Sequence, residues 1–108
     1  MNLEINSEQD SWLENSLKYL NFGRIAKQEK LRIESSQRSF FRITSKDYNS
    51  IILMVVPHGI DESVRSFVEK AEIFKKYSVN VPNVYSYDLK LGLILVEDFG
   101  DNIYQYNL

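Results

Sequence analysis

The spacing of apolar residues changes several times along the chain, and each change marks an element. Trp12, Leu13, Leu17 and Leu20 fall close to one helical face. Ser7, with Asp10 three residues on, reads as a weak capping box at the start of that helix, and Asn21-Phe22-Gly23 as its stop. From Ile25 to Glu34 the period shifts towards two, with Leu31 and Ile33 alternating with Lys30, Arg32 and Glu34, as in a strand with one wet face. Small polar residues, Ser35-Ser36-Gln37-Arg38, break the pattern before a second strand, Ser39 to Thr44, carrying Phe40, Phe41 and Ile43. After the turn Lys46-Asp47-Tyr48-Asn49, residues 51–56 are apolar on both faces, which predicts a central strand ended by Pro57.

Asp61 can cap the next helix, where Val64, Phe67, Val68, Ala71 and Phe74 keep amphipathic spacing. Asn80-Val81-Pro82 leads into a strand at Asn83–Tyr87, Lys90-Leu91-Gly92 makes a turn, and Leu93–Glu97 forms the last strand. The predicted order is α-β-β-β-α-β-β, an α+β fold. Short links between strands favour a mainly antiparallel five-stranded sheet, with one helix between strands three and four and another at the N-terminus.

Length and composition narrow the chemistry. At 108 residues the chain is one small domain. Its net charge of −2 argues against a general binder of nucleic acid or anionic membrane. With no cysteine there is no disulfide, thiolate metal site or cysteine nucleophile, and one histidine, His58, cannot supply a zinc cluster. No apolar run reaches the roughly 18–20 residues that span a bilayer, and the acidic start MNLEINSEQD is unlike a signal peptide, so the cytoplasm is the expected compartment.

Four segments, "SSQRSFFRI", "SIILMVVP", "VNVPNVYSYD" and "LGLILVEDFGDNIY", follow one another at a spacing that resembles the N-terminal ATP-binding lobe of the aminoglycoside-phosphotransferase family, a protein-kinase-like small lobe. The branch they look most like is that of anomeric amino-sugar kinases acting on N-acetylmuramate or N-acetylglucosamine. The resemblance covers residues 12–108. It divides the chain into an ATP-binding lobe at 1–100 and, at 101–108, the hinge exit towards a C-terminal lobe.

The resemblance implies that "ILVEDFGDN" is the last strand passing into a hinge that holds adenine. The Glu97 carbonyl would accept from the adenine amino group, the Phe99 amide would donate to the ring, and Val96 would face the back of the pocket. Gly100 would allow the bend and Asp101 would cap the following helix. Asp98-Phe99-Gly100 directly follows the fifth strand, so Asp98 is not read as the metal ligand of the kinase Asp-Phe-Gly motif. Taken alone, the stretch also suits an ordinary buried strand ending in a turn.

The resemblance places Ser35, Ser36, Arg38 and Ser39 over the triphosphate, with Arg42 a second cation. Small residues and positive charge suit phosphate oxygens, although a polar hairpin with solvated arginines fits the same residues. Two departures from the family pattern stand out: the loop has no glycine, and Met54 occupies the place of the usual third-strand lysine. Arg38 is the residue that would replace the lost charge. Glu62, Glu69 and Glu72 then suit a solvated helix face, and Trp12, Phe67 and Phe74 suit core rather than ligand platforms.

The implied cofactor is ATP, with Mg²⁺ held by acids of the C-terminal lobe, which would also bring the catalytic aspartate and the site for a sugar-like acceptor. The expected function is therefore the nucleotide-binding part of a small-molecule phosphotransferase. The alternative is a catalytically inert nucleotide- or protein-binding module, or a relic of such a kinase. A lobe standing alone would expose the cleft side of its sheet and tend to self-associate through it.

Overall fold

An apolar run wet on neither face belongs in the middle of a sheet, and that is where residues 51–55 lie. The computed structural model describes residues 5–32, 38–56 and 61–100, the side chains of 61–63 excepted. Its elements are α1 (Ser7–Tyr19), β1 (Ile25–Leu31), β2 (Ser39–Ser45), β3 (Ser50–Val55), α2 (Asp61–Lys76), β4 (Val84–Asp88) and β5 (Leu93–Glu97). The five strands form one sheet in the order β1-β2-β3-β5-β4, with every neighbouring pair antiparallel.

The cap of α1 differs from the sequence expectation by one residue. Asn6, not Ser7, is the N-cap. Its side chain accepts from the Gln9 amide, and Gln9 Oε1 accepts from the Asn6 amide, a complete capping box. Gln9 then reaches across to donate to the Leu91 carbonyl at 2.8 Å, tying the helix start to the turn before β5.

Strand alternation sends two sets of side chains to opposite faces. Phe41, Ile43, Ile51, Leu53, Leu93 and Leu95 pack with Leu13, Leu17 and Phe22, so α1 covers one face. Phe40, Ile52, Met54, Val56, Ile94 and Val96 pack with Val64 and Phe67, so α2 covers the other. Two helices on two faces give two thin cores that share one sheet. Phe74, expected in the core, is 37% exposed, and Ala71 is the last buried residue of α2. Among the described residues no helix is long and apolar enough to cross a membrane.

The cleft face was expected to be open, and its strand residues are not. Phe40, Ile52, Met54, Ile94 and Val96 are each no more than 1% exposed. The exposed large apolar side chains lie elsewhere, several of them on the end of α2 and on β4: Ile73, Phe74, Tyr77, Tyr85 and Tyr87.

Candidate functional site

The α2 face of the sheet carries two of the polar groups that the sequence singled out, Arg38 and Arg42. Phe40 and Arg42 of β2, and Arg38 immediately before it, share the parity that points to this face. Phe40 pairs with Met54, and Arg42 with Ile52, which pairs in turn with Val96. Arg38 stands just before β2 and Arg42 at its middle, roughly 13 Å apart along the chain.

Arg38 immediately precedes β2. Its guanidinium sits 5.6 Å from the centroid of the Phe67 ring in α2, within cation–π range. Burial lowers its affinity for the proton, while a guanidinium stays charged in proteins. Arg38 also lies two residues from Phe40, whose strand partner is Met54. A half-buried cation thus stands one row from the position where the family resemblance would place a lysine.

Arg42 occupies the hinge end. Its Nε donates to Asp98 Oδ2 at 2.7 Å, and its Nη2 to Asp98 Oδ1 at 3.1 Å and to the Gly100 carbonyl at 2.8 Å. Glu29 on β1 adds a carboxylate 3.9 Å from Nη1. The Asp98 side chain is 7% exposed. Burial alone would raise its pKa, but hydrogen bonds from Arg42, Ser50 and the Gly100 amide, with the Arg42 charge, outweigh burial and hold it below the ordinary carboxylate value. The Gly100 amide donates to Asp98 Oδ1 at 2.8 Å, closing a tight turn with Gly100 at φ +63°. The chain leaving β5 is therefore pinned across the end of β3 onto β2.

This arrangement separates the predicted residues. Val96 lies on the α2 face, buried with Met54 and Phe40, and Phe99 packs against the same cluster. Glu97 has the opposite parity. Its carboxylate accepts from the amide and side-chain nitrogens of Asn83 at 3.1 and 3.0 Å, and its own amide donates to the Asn83 carbonyl at 2.9 Å. Ser39 shares the parity of Phe41 and points to the α1 face, away from Arg38. Ser35, Ser36, His58 and Asp101 lie outside the described residues.

Sequence reasoning missed the Arg42–Asp98 pair, whose members are 56 positions apart. Their shared face depends on the β2-β3-β5 register, which no local pattern reveals. It also missed a concavity of about 990 Å³ beside α1, lined by Asp10, Glu14, Lys18, Arg24, Gln28 and Lys46. Asp10 Oδ1 is buried there with no hydrogen-bond partner. Among the described residues, no cluster of three or more histidine or acidic side chains could hold a metal ion. Comparison with protein-family models, with curated proteins and with solved structures yields no match, so residues and their placement alone carry the functional reading.

Proposed function

We propose that this chain is the nucleotide-binding part of an ATP-dependent phosphotransferase, of the kind that phosphorylates a hydroxyl of an amino sugar or a similar small molecule. The observation that carries the reading is the distribution of groups on the α2 face. A cation at the loop end, an apolar floor in the middle and a pinned strand exit at the other end match what triphosphate, adenine and hinge require. The strand order and the helix between β3 and β4 agree with the four motifs that resemble such a lobe.

In this reading Arg38 meets the phosphates, while Phe40, Met54 and Val96 form the floor for adenine. Backbone groups of Glu97 and Phe99 meet the ring edge. Arg42 has another role: its donors hold Asp98 and Gly100, so it sets the hinge rather than touching phosphate. Since the floor residues are buried, adenine enters only by displacing a covering side chain, and Phe99, partly buried against this cluster, is the candidate by position. The acceptor hydroxyl, magnesium and the catalytic base belong to a C-terminal lobe.

Calorimetric titration tests this. Arg38→Ala is expected to weaken ATP binding about tenfold, the worth of one charge-assisted contact, and to leave adenosine binding unchanged. Equal loss for ATP and adenosine would remove Arg38 from the phosphate site. A second reading, a binding module without nucleotide, draws on the burial of Phe40, Met54 and Val96, which leaves the floor filled. Saturable binding of ATP by the wild-type chain would set it aside.

A further inference from the structure

The sheet has two edges, and they are built differently. β1 carries Lys27, Glu29 and Lys30, charges of the kind that discourage a further strand from pairing. β4 reads Val-Tyr-Ser-Tyr-Asp, with no charge before Asp88, and among the described residues pairs only with β5. Tyr85 and Tyr87 are 46% and 48% exposed. Both line a groove of about 270 Å³ with Val68 and Glu72 of α2, next to the open edge. Two residues apart on the strand, Tyr85 and Tyr87 both line this groove, and a register shift lies between Val84 and Ser86.

The five residues are nearly symmetric about Ser86. Antiparallel pairing of β4 with a second β4, centred on Ser86, places Tyr85 opposite Tyr87 of the other copy, and the reverse. Two cross-strand aromatic pairs result, each worth about 0.2–1 kcal/mol over alanine pairs. No like charges meet, because Asp88 falls opposite Val84. A heterologous strand has no such match built in, so the sequence itself selects the occupant.

We infer that β4 is a docking edge for a second copy of this chain, joining two sheets into one of ten strands about a two-fold axis at Ser86. A contact of two five-residue strands and four tyrosines falls below the roughly 1,200 Å² of a standard interface, so the dimer is weak and grows with concentration. The inference does not rest on nucleotide binding, since Tyr85, Ser86 and Tyr87 are not among the residues assigned to the nucleotide.

The absence of cysteine makes the geometry directly readable. Opposed residues in an antiparallel pair have Cα atoms about 4.5–5.5 Å apart, within the span of a disulfide. Under mild oxidation Ser86→Cys is expected to cross-link at least about tenfold faster than Ser11→Cys, an exposed control on α1, because pairing raises the local concentration of the thiol. Equal rates for the two variants would overturn the inference. Sedimentation velocity serves if Ser86→Cys misfolds. Wild-type protein should shift towards dimer as concentration rises, and Tyr87→Lys should stay monomeric with an unchanged circular-dichroism melt. A wild-type protein that is monomeric throughout, or a Tyr87→Lys dimer as strong as wild type, would refute β4 pairing.

Discussion

Arg42→Met is expected to lower the free energy of unfolding by about 2–3 kcal/mol in urea titrations at pH 7. The substitution keeps the stem of the side chain but leaves the Asp98 carboxylate, 7% exposed, without its bidentate partner. Removing one member of a fully buried pair costs about 3–5 kcal/mol, and the 21% exposure of Arg42 lets water recover part of that. Asp98→Leu added to Arg42→Met should restore most of the loss, since replacing both partners by apolar groups is far less costly than orphaning one.

The pH dependence of this variant has a definite sign. In the wild-type protein the Asp98 pKa lies below its unfolded value of about 3.9, so its contribution is present above that value and is lost as pH falls through the folded pKa. Without Arg42, its hydrogen bonds and charge no longer offset burial, and the folded pKa rises although the Ser50 and Gly100 hydrogen bonds remain. This contribution to stability above about pH 4 shrinks accordingly. The stability gap between wild type and Arg42→Met should therefore narrow below about pH 4. A gap independent of pH would mean that Arg42 acts by packing and not by charge.

Gly92→Ala is expected to cost about 2–4 kcal/mol, a large effect for one methyl group. A Cβ at this position would stand 2.6 Å from the Val56 carbonyl oxygen, a backbone atom with little freedom to move. The Gly92 carbonyl accepts from the Val56 amide at 2.8 Å and its amide donates to the Asp88 carbonyl at 3.0 Å, so relief of the clash breaks hydrogen bonds at the β3–β5 end. The positive φ of +68° adds about 1–2 kcal/mol for any residue with a Cβ. Gly100→Ala is the control: at φ +63° with no atom within 4 Å of the added Cβ, it should cost only the conformational part. Equal losses at the two sites would show that the Val56 contact is not what restricts Gly92.

Local patterns made the elements legible because each core is one-sided. The period-3.6 spacing of Leu13 and Leu17, and of Val64, Phe67, Val68 and Ala71, coincides with what the two helices bury. The doubly apolar run at 51–56 marked β3 as central, because a strand covered by α1 on one face and α2 on the other needs apolar residues at both parities. Leu93–Glu97 matches β5 at both ends, bounded by Gly92 and by the Asp98 turn. Phe74 departs from the pattern because the apolar periodicity continues past Ala71, the last residue that α2 buries.

The candidate site was legible only in part. The family resemblance points to Arg38 as the phosphate cation, whereas its contact with Phe67 depends on the packing of α2. Arg42 carries a similar sequence signal, a cation four residues further along. What distinguishes them is non-local, because the β2-β3-β5 register brings Asp98 to one arginine and not to the other. Ser39 was grouped with the loop by sequence proximity, yet its parity sends it to the α1 face.

The central claim is that nucleotide lies on the α2 face, between Arg38 and the pinned exit of β5. Amide chemical-shift mapping with Mg²⁺ and ADP tests it most directly, with nucleotide raised to about 5 mM, where even a site worth ~3–4 kcal/mol shows curvature. The account predicts saturable shifts centred on Arg38–Phe40, Met54 and Val96–Gly100. Shifts confined to the opposite groove at Asp10, Lys18, Arg24 and Lys46, or no saturable shift at all, would contradict it.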